Sequence, residues 1–194
     1  MLTAIILLVA AAASLALVLV SRIWWGNRLR WRGARIVTCP ENQSSAAVQV
    51  DASYAARTAV TGDRVLRLSQ CSRWPEKEGC RQECLEQIEA APEDCLARSL
   101  ITDWYGGTDC ALCGKPFDRI EWMLHRPGVL TPDEKQVLAW DRIPLETLPD
   151  VLATHRPVCW DCLVIEQVVR ERPDLVTLRP PPTTSGSSEV RSLH

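Results

Sequence analysis

The chain has 194 residues, a formal charge of −2, and nine cysteines against three histidines and one phenylalanine. That length accommodates one medium domain or two small ones, and an apolar share of 46% argues against wholesale disorder. Near-neutral charge gives no general argument for nucleic-acid binding, and an odd cysteine count means that complete disulfide pairing within the chain would leave one thiol over.

Residues 1–20 contain no charged side chain, and Leu2–Val20 is apolar apart from Thr3 and Ser14. As a helix this stretch spans roughly 28 Å, close to the hydrocarbon thickness of a bilayer. Trp24 and Trp25 follow where an aromatic belt would sit, and Arg22, Arg28, Arg30, Arg32 and Arg35 come before the first acidic residue, Glu41. A cleaved signal peptide would carry its basic residues before the apolar stretch, and here they come after it. The expectation is an uncleaved anchor over residues 1–25 and a basic juxtamembrane segment over 26–35. Positive charge stays on the cytoplasmic side, so the N-terminus is expected outside and the soluble region in the cytoplasm, at the inner membrane. Thiols there are kept reduced and read first as metal ligands. The arginines are also placed to touch anionic headgroups.

Five of the 22 basic residues precede residue 36 and none of the 24 acidic ones does, so the remainder carries a formal charge of −7. No nucleic-acid partner is expected for so acidic a region.

Over residues 36–104, with its first strand starting just before, the pattern predicts strands followed by a helical hairpin. Ala34–Thr38, Ala46–Asp51 and Arg64–Ser69 read as short β-runs, with a turn at Thr61-Gly62-Asp63. Glu78–Ala90 and Cys95–Trp104 read as helices separated by Ala91-Pro92-Glu93-Asp94. Cys80 and Cys84, four apart on one helix, would share a face and chelate one ion. Cys39 and Cys71 each follow a strand, so Cys39, Cys71, Cys80 and Cys84 are expected as one Cys₄ site, less strongly specified than the pairs described next. Cys95 is left as a buried thiol. Zinc is the first expectation there and iron or an iron–sulfur centre the alternative. The segment Cys71-Ser-Arg-Trp-Pro-Glu-Lys-Glu-Gly-Cys80-Arg-Gln-Glu-Cys84, with Cys39-Pro40-Glu41 upstream, resembles a pattern in membrane-anchored cysteine-rich bacterial proteins. That resemblance implies a family and no activity.

Residues 105–178 carry the stronger signal. Cys110-Ala-Leu-Cys113 and Cys159-Trp-Asp-Cys162 are two CxxC pairs separated by 45 residues. Four soft thiolates match tetrahedral zinc, and Gly114 permits the tight turn of a knuckle. Gly128-Val129-Leu130 and Val137–Trp140, joined by a turn at residues 131–135, read as a hairpin, and Leu163–Glu171 reads as a helix. Knuckle, hairpin, then a helix carrying the last two ligands resembles the treble-clef and zinc-ribbon class of zinc fingers. The resemblance implies a closed structural zinc site of Cys110, Cys113, Cys159 and Cys162.

Other readings compete. A CxxC at a helix N-terminus also resembles a thioredoxin-type dithiol, but residues 152–157 offer no long strand leading into it. Trp140-Asp141-Arg142-Ile143-Pro144 faintly resembles the Asp-His-Ile-x-Pro segment of HNH-type nucleases, with arginine where the base would stand. A rubredoxin-like iron centre satisfies the same four cysteines. His155 reads as a surface or hydrogen-bonding group beside ligands already complete. No phosphate loop, nucleophile elbow or paired catalytic carboxylate stands out.

The tail, residues 179–194, is rich in Pro, Ser and Thr and reads as disordered. The expected fold is therefore α+β: a single transmembrane helix, then two small metal-stapled units. The expected function is a non-enzymatic, membrane-anchored scaffold with two zinc ions and a protein partner. Its alternative is a tethered electron-transfer or redox-sensing protein.

Overall fold

A computed structural model describes residues 1–74, 76 and 79–173. Helix α1 runs unbroken from Leu2 to Arg30, with no residue on it fully buried. It is long and apolar enough to cross a membrane by length and composition. The helix carries on ten residues past Val20, so half of the basic segment continues the helix rather than forming a separate linker.

Three strands follow: β1 (Ala34–Thr38), β2 (Ser45–Val50) and β3 (Leu68–Cys71). They form an antiparallel sheet in the order β1-β2-β3. Residues 52–60, which the sequence pattern left unassigned, belong to helix α2 (Ala52–Thr61), which also takes in Thr61 of the expected turn. Its start is fixed by the Asp51 carboxylate, which accepts the Tyr54 N–H at 2.9 Å. Its end is fixed by Gly62 at φ +111°, a left-handed conformation that favours glycine. The third strand accordingly begins at Leu68 rather than Arg64, because the intervening chain returns from α2 first.

Helix α3 (Leu85–Ala90) is shorter than the expected 78–90 helix, and Glu78 lies outside the described residues. Gln82, at φ +59°, breaks the helical path, and its side-chain oxygen instead accepts the Leu68 N–H at 2.8 Å. A specific bond to the end of the sheet thus overrides a helical propensity worth only a fraction of a kcal/mol per residue. Helix α4 (Ala97–Tyr105) follows.

The second sheet is β5-β4-β6, with β4 (Gly128–Leu130) central, β5 (Val137–Ala139) its hairpin partner and β6 (Arg156–Val158) on the other side. Helix α5 (Leu148–Thr154), not anticipated, precedes β6. Helix α6 spans Trp160–Glu171. The expected disordered tail lies outside the described residues.

Three apolar clusters matter for the sites. Trp31, Val37, Val48, Leu68 and Ile88 pack under the first sheet, while Leu130, Val137, Val158 and Leu163 pack under the second. A third cluster joins them: Ile36 of β1 packs with Ile101 and Tyr105 of α4 and Leu148 of α5. The two sheets are therefore fastened through α4 by shared burial.

At the base of α1, Arg35 departs from its expected place in the headgroup-facing collar: it is fully buried. Its guanidinium donates to the carbonyls of Arg30 (2.8 Å), Trp31 (3.1 Å) and Gly33 (3.3 Å). The first two stand at the end of α1, where carbonyls have no intrahelical partners. Burial pulls the Arg35 pKa down, opposed by Cys95 and Glu93 nearby. The Trp31 ring, also buried, has the guanidinium carbons of Arg30, Arg35 and Arg64 within 5.5 Å of its centre. Helix α1 therefore enters the domain through a packed joint.

Candidate metal centre

The sulfurs of Cys110, Cys113, Cys159 and Cys162 all lie within 4.8 Å of one another. Three backbone devices bring them there. The Gly114 N–H bonds back to the Cys110 carbonyl at 2.9 Å with Gly114 at φ +69°, which turns the chain sharply after the first pair. The Ala111 N–H bonds the Pro157 carbonyl at 2.8 Å, fastening this knuckle to β6. Cys159 then caps α6 and Cys162 falls in its first turn, as the sequence spacing predicted. The upstream segment is not strandless, since β6 leads into Cys159, but that strand is only three residues long.

The contacts inside the cluster suit a tetrahedral ion. Cys113 Sγ and Cys159 Sγ are 3.7 Å apart, and metal–sulfur bonds of ~2.3 Å at tetrahedral angles place ligand sulfurs ~3.8 Å apart. The Cys159 N–H donates to Cys110 Sγ at 3.2 Å. Burial works to raise the Cys110 thiol pKa, but backbone N–H groups of Cys159, Cys113 and Leu112 directed at it win, bringing it down to about 7. Burial and neighbouring sulfurs push Cys162 up, and burial raises Cys159. Metal binding requires these sulfurs as thiolates, so a bound cation displaces their protons. Four close thiols, partly solvated donors and a fixed backbone can hold a metal ion.

The other five cysteines lie in the first half of the chain, four of them around one cavity. Cys39, Cys71, Cys80 and Cys84 line one cavity of about 290 Å³, with Trp74, Arg73 and Arg81 also in its wall. Cys80 and Cys84 do not share a helix face: Cys80 sits in the loop and Cys84 caps α3. β1 and β3 flank β2 rather than pairing with each other, but both run antiparallel to it. Cys39 and Cys71 therefore stand at the same end of the sheet. Gln87 of α3 clamps Thr38 through both its N–H (3.1 Å) and its carbonyl (2.7 Å), holding Cys84 beside Cys39. Burial raises the Cys84 thiol pKa to about 11, helped by Cys80, Cys71 and Cys39. Among the described residues these four do not meet the 4.8 Å closeness of the first set. Cys95 stands apart, its sulfur 3.6 Å from the Pro92 carbonyl and beside Arg35.

Of the histidines, His155 bonds Thr154 through Nδ1 at 2.9 Å and His125 pairs with Glu121 at 3.3 Å. Neither belongs to the four-sulfur cluster. Arg142 lies in a short 3₁₀ turn with Trp140 and Asp141. Trp24 and Trp25 pack edge-to-face at 4.9 Å on α1, beyond the apolar stretch, with Trp25 exposed. Sequence reasoning missed Trp31 and Arg35 as a structural pair. The available signal was an arginine set amid apolar residues directly after Gly33.

The chain matches no family model, no curated protein and no solved structure.

Proposed function

We propose that this protein is a non-enzymatic, membrane-anchored zinc module that presents an interaction surface at the cytoplasmic face of the inner membrane. The observation that carries the reading is the four-sulfur cluster of Cys110, Cys113, Cys159 and Cys162, held by knuckle, hairpin and helix. Its element order supports a treble-clef-like finger, and a Cys₄ set leaves no position open for a catalytic water. Zinc there acts as a cross-link, fixing β6 and α6 against the knuckle. In a unit this small such a staple contributes a large part of the stability. The second set, Cys39, Cys71, Cys80 and Cys84, completes the module with a second ion. The arginines after α1 support an N-out orientation. The acidic soluble region favours a protein partner over a nucleic acid.

A second reading is favoured by one observation. The second set surrounds a cavity of about 290 Å³ without the tight sulfur spacing of the first, which suits an iron–sulfur cluster in an electron-transfer or redox-sensing protein.

Metal analysis of the purified full chain separates the two. Colourless protein with two zinc ions per chain, falling to one in both Cys110→Ser and Cys39→Ser, supports the module. Iron with visible charge-transfer absorption, lost in Cys39→Ser and retained in Cys110→Ser, supports the second reading instead. A C-terminal reporter that is active outside the cell overturns the orientation.

A further inference from the structure

Beyond Val20, α1 has one covered stripe. Trp24, Asn27 and Arg28 are half-buried and Trp31 is buried, while the intervening side chains stay exposed. These positions recur at helical spacing, as a partner lying alongside requires. The partner is α2, whose Ser53 bonds Arg28 and whose Ala55 and Ala56 are fully buried. Small side chains on that face let the two helices come close.

The height of this contact follows from the rise of a helix. Trp24 stands about 6 Å and Trp31 about 16 Å beyond Val20, and the headgroup layer of one leaflet is about 5–7 Å thick. A chain whose α1 spans the bilayer thus carries α2 at the headgroup level or just above it. The side of α2 turned away from the core has the matching chemistry. Arg57 is exposed on α2, and Arg64 is exposed on the loop after it. Val60 and Val65 are exposed beside them, at 37% and 47%. Arg57 lies over the Tyr54 ring and Arg64 over Trp31, contacts that hold a guanidinium without neutralising it. Before Leu68 the acidic residues are Glu41, at the cysteine cavity, Asp51, bonded to Arg67 at 2.7 Å, and Asp63. With Arg67 paired to Asp51, Arg57 and Arg64 outnumber Asp63 on this surface and leave it net positive.

We propose that α2 and the loop after it form a second membrane contact, in which Arg57 and Arg64 bind the phosphates of anionic phospholipids. Together with the packed joint at Arg35, this fixes the orientation of the metal-binding domain on the bilayer. The inference rests on α1 being a membrane anchor.

The test is amide hydrogen exchange of the full chain in lipid nanodiscs, with and without an anionic phospholipid. Each arginine near such a surface is worth about a fivefold preference, so removing two lowers it about 25-fold. Exchange over residues 52–66 should slow by about fivefold or more in anionic discs and recover at raised salt. Arg57→Gln/Arg64→Gln should abolish that slowing while β2 amides keep their protection. Should the double variant also lose β2 protection, the wild-type comparison and its salt dependence decide alone. Equal exchange in both discs overturns the inference while leaving the anchor intact. A chain that does not stay with the discs contradicts the anchor itself, and this inference with it.

Discussion

Tyr105 is the residue through which the two sheets are fastened, and replacing it with phenylalanine tests that joint with little change in shape. The side chain is 1% exposed. Its hydroxyl donates to the Gly128 carbonyl at 2.5 Å and accepts the Trp140 Nε1–H at 3.1 Å. Burial pushes the phenol pKa well up, against the lowering effect of the Trp140 bond, so it remains a donor throughout the accessible range. Tyr105→Phe keeps the ring contacts with Phe117 at 4.7 Å and Trp104 at 5.0 Å. What it removes is a partner from a buried carbonyl of β4 and from a half-buried indole. An unsatisfied buried group costs about 1–3 kcal/mol, and the indole is near enough to solvent to recover part of its loss. We therefore expect a net loss of about 2 kcal/mol, equivalent to about 4–8 °C in Tm for a chain of this size. The assay is thermal unfolding in detergent at fixed, saturating zinc, because bound metal shifts apparent stability. Trp140→Phe, alone and combined with Tyr105→Phe, closes a double-mutant cycle with an expected coupling of about 1 kcal/mol. A Tyr105→Phe loss below about 0.5 kcal/mol, as expected for an unremarkable surface site, would refute the reasoning.

Asp51→Ala should destabilise the fold by about 1 kcal/mol through the lost cap of α2, seen as earlier urea unfolding. The Tyr54 N–H, then Arg67, hold the Asp51 carboxyl below its usual value of 3.8. Its contribution is therefore present above that value and lost as pH falls through the lower folded one. The stability gap between wild type and Asp51→Asn should accordingly close in acid below 3.8 and stay constant above it. Arg35→Met should cost about 3 kcal/mol by leaving helix-end carbonyls buried and unpaired, with Arg35→Lys recovering only part because one ammonium cannot reproduce the planar fork. Thermal unfolding of the three proteins side by side checks this. Cys95→Ser should leave the metal content unchanged while Cys84→Ser lowers it, by elemental analysis of matched preparations.

What could be read in advance was what spacing alone encodes. Two CxxC pairs, a glycine after the first and a helical period after the second were sufficient to anticipate Cys159 and Cys162 at the start of α6. The first strand was equally legible, with bounds matching Ala34–Thr38. Contacts distant in sequence were not. Gln82 abandons a helix to bond Leu68, and that preference exists only once the sheet is formed. Residues 52–61 carry mostly small side chains whose apolar face is too weak to stand out, and they become a helix because α1 gives that face something to cover. Arg35 looked like one more cation in a basic run. It is buried because the end of α1 and the turn after it present three carbonyls to it. The convergence of Cys39, Cys71, Cys80 and Cys84 on one cavity was anticipated from an incorrect premise, a shared helix face. Gln87 clamped on Thr38 is what brings the two halves of that set together.

Cys110, Cys113, Cys159 and Cys162 are proposed to hold a zinc ion. X-ray absorption at the zinc edge of the purified full chain tests it most directly. Bound zinc with four sulfur neighbours at about 2.3 Å is expected, with a halved signal in Cys110→Ser. Zinc surrounded by nitrogen or oxygen, or a full-length chain that holds no zinc at all, would contradict it.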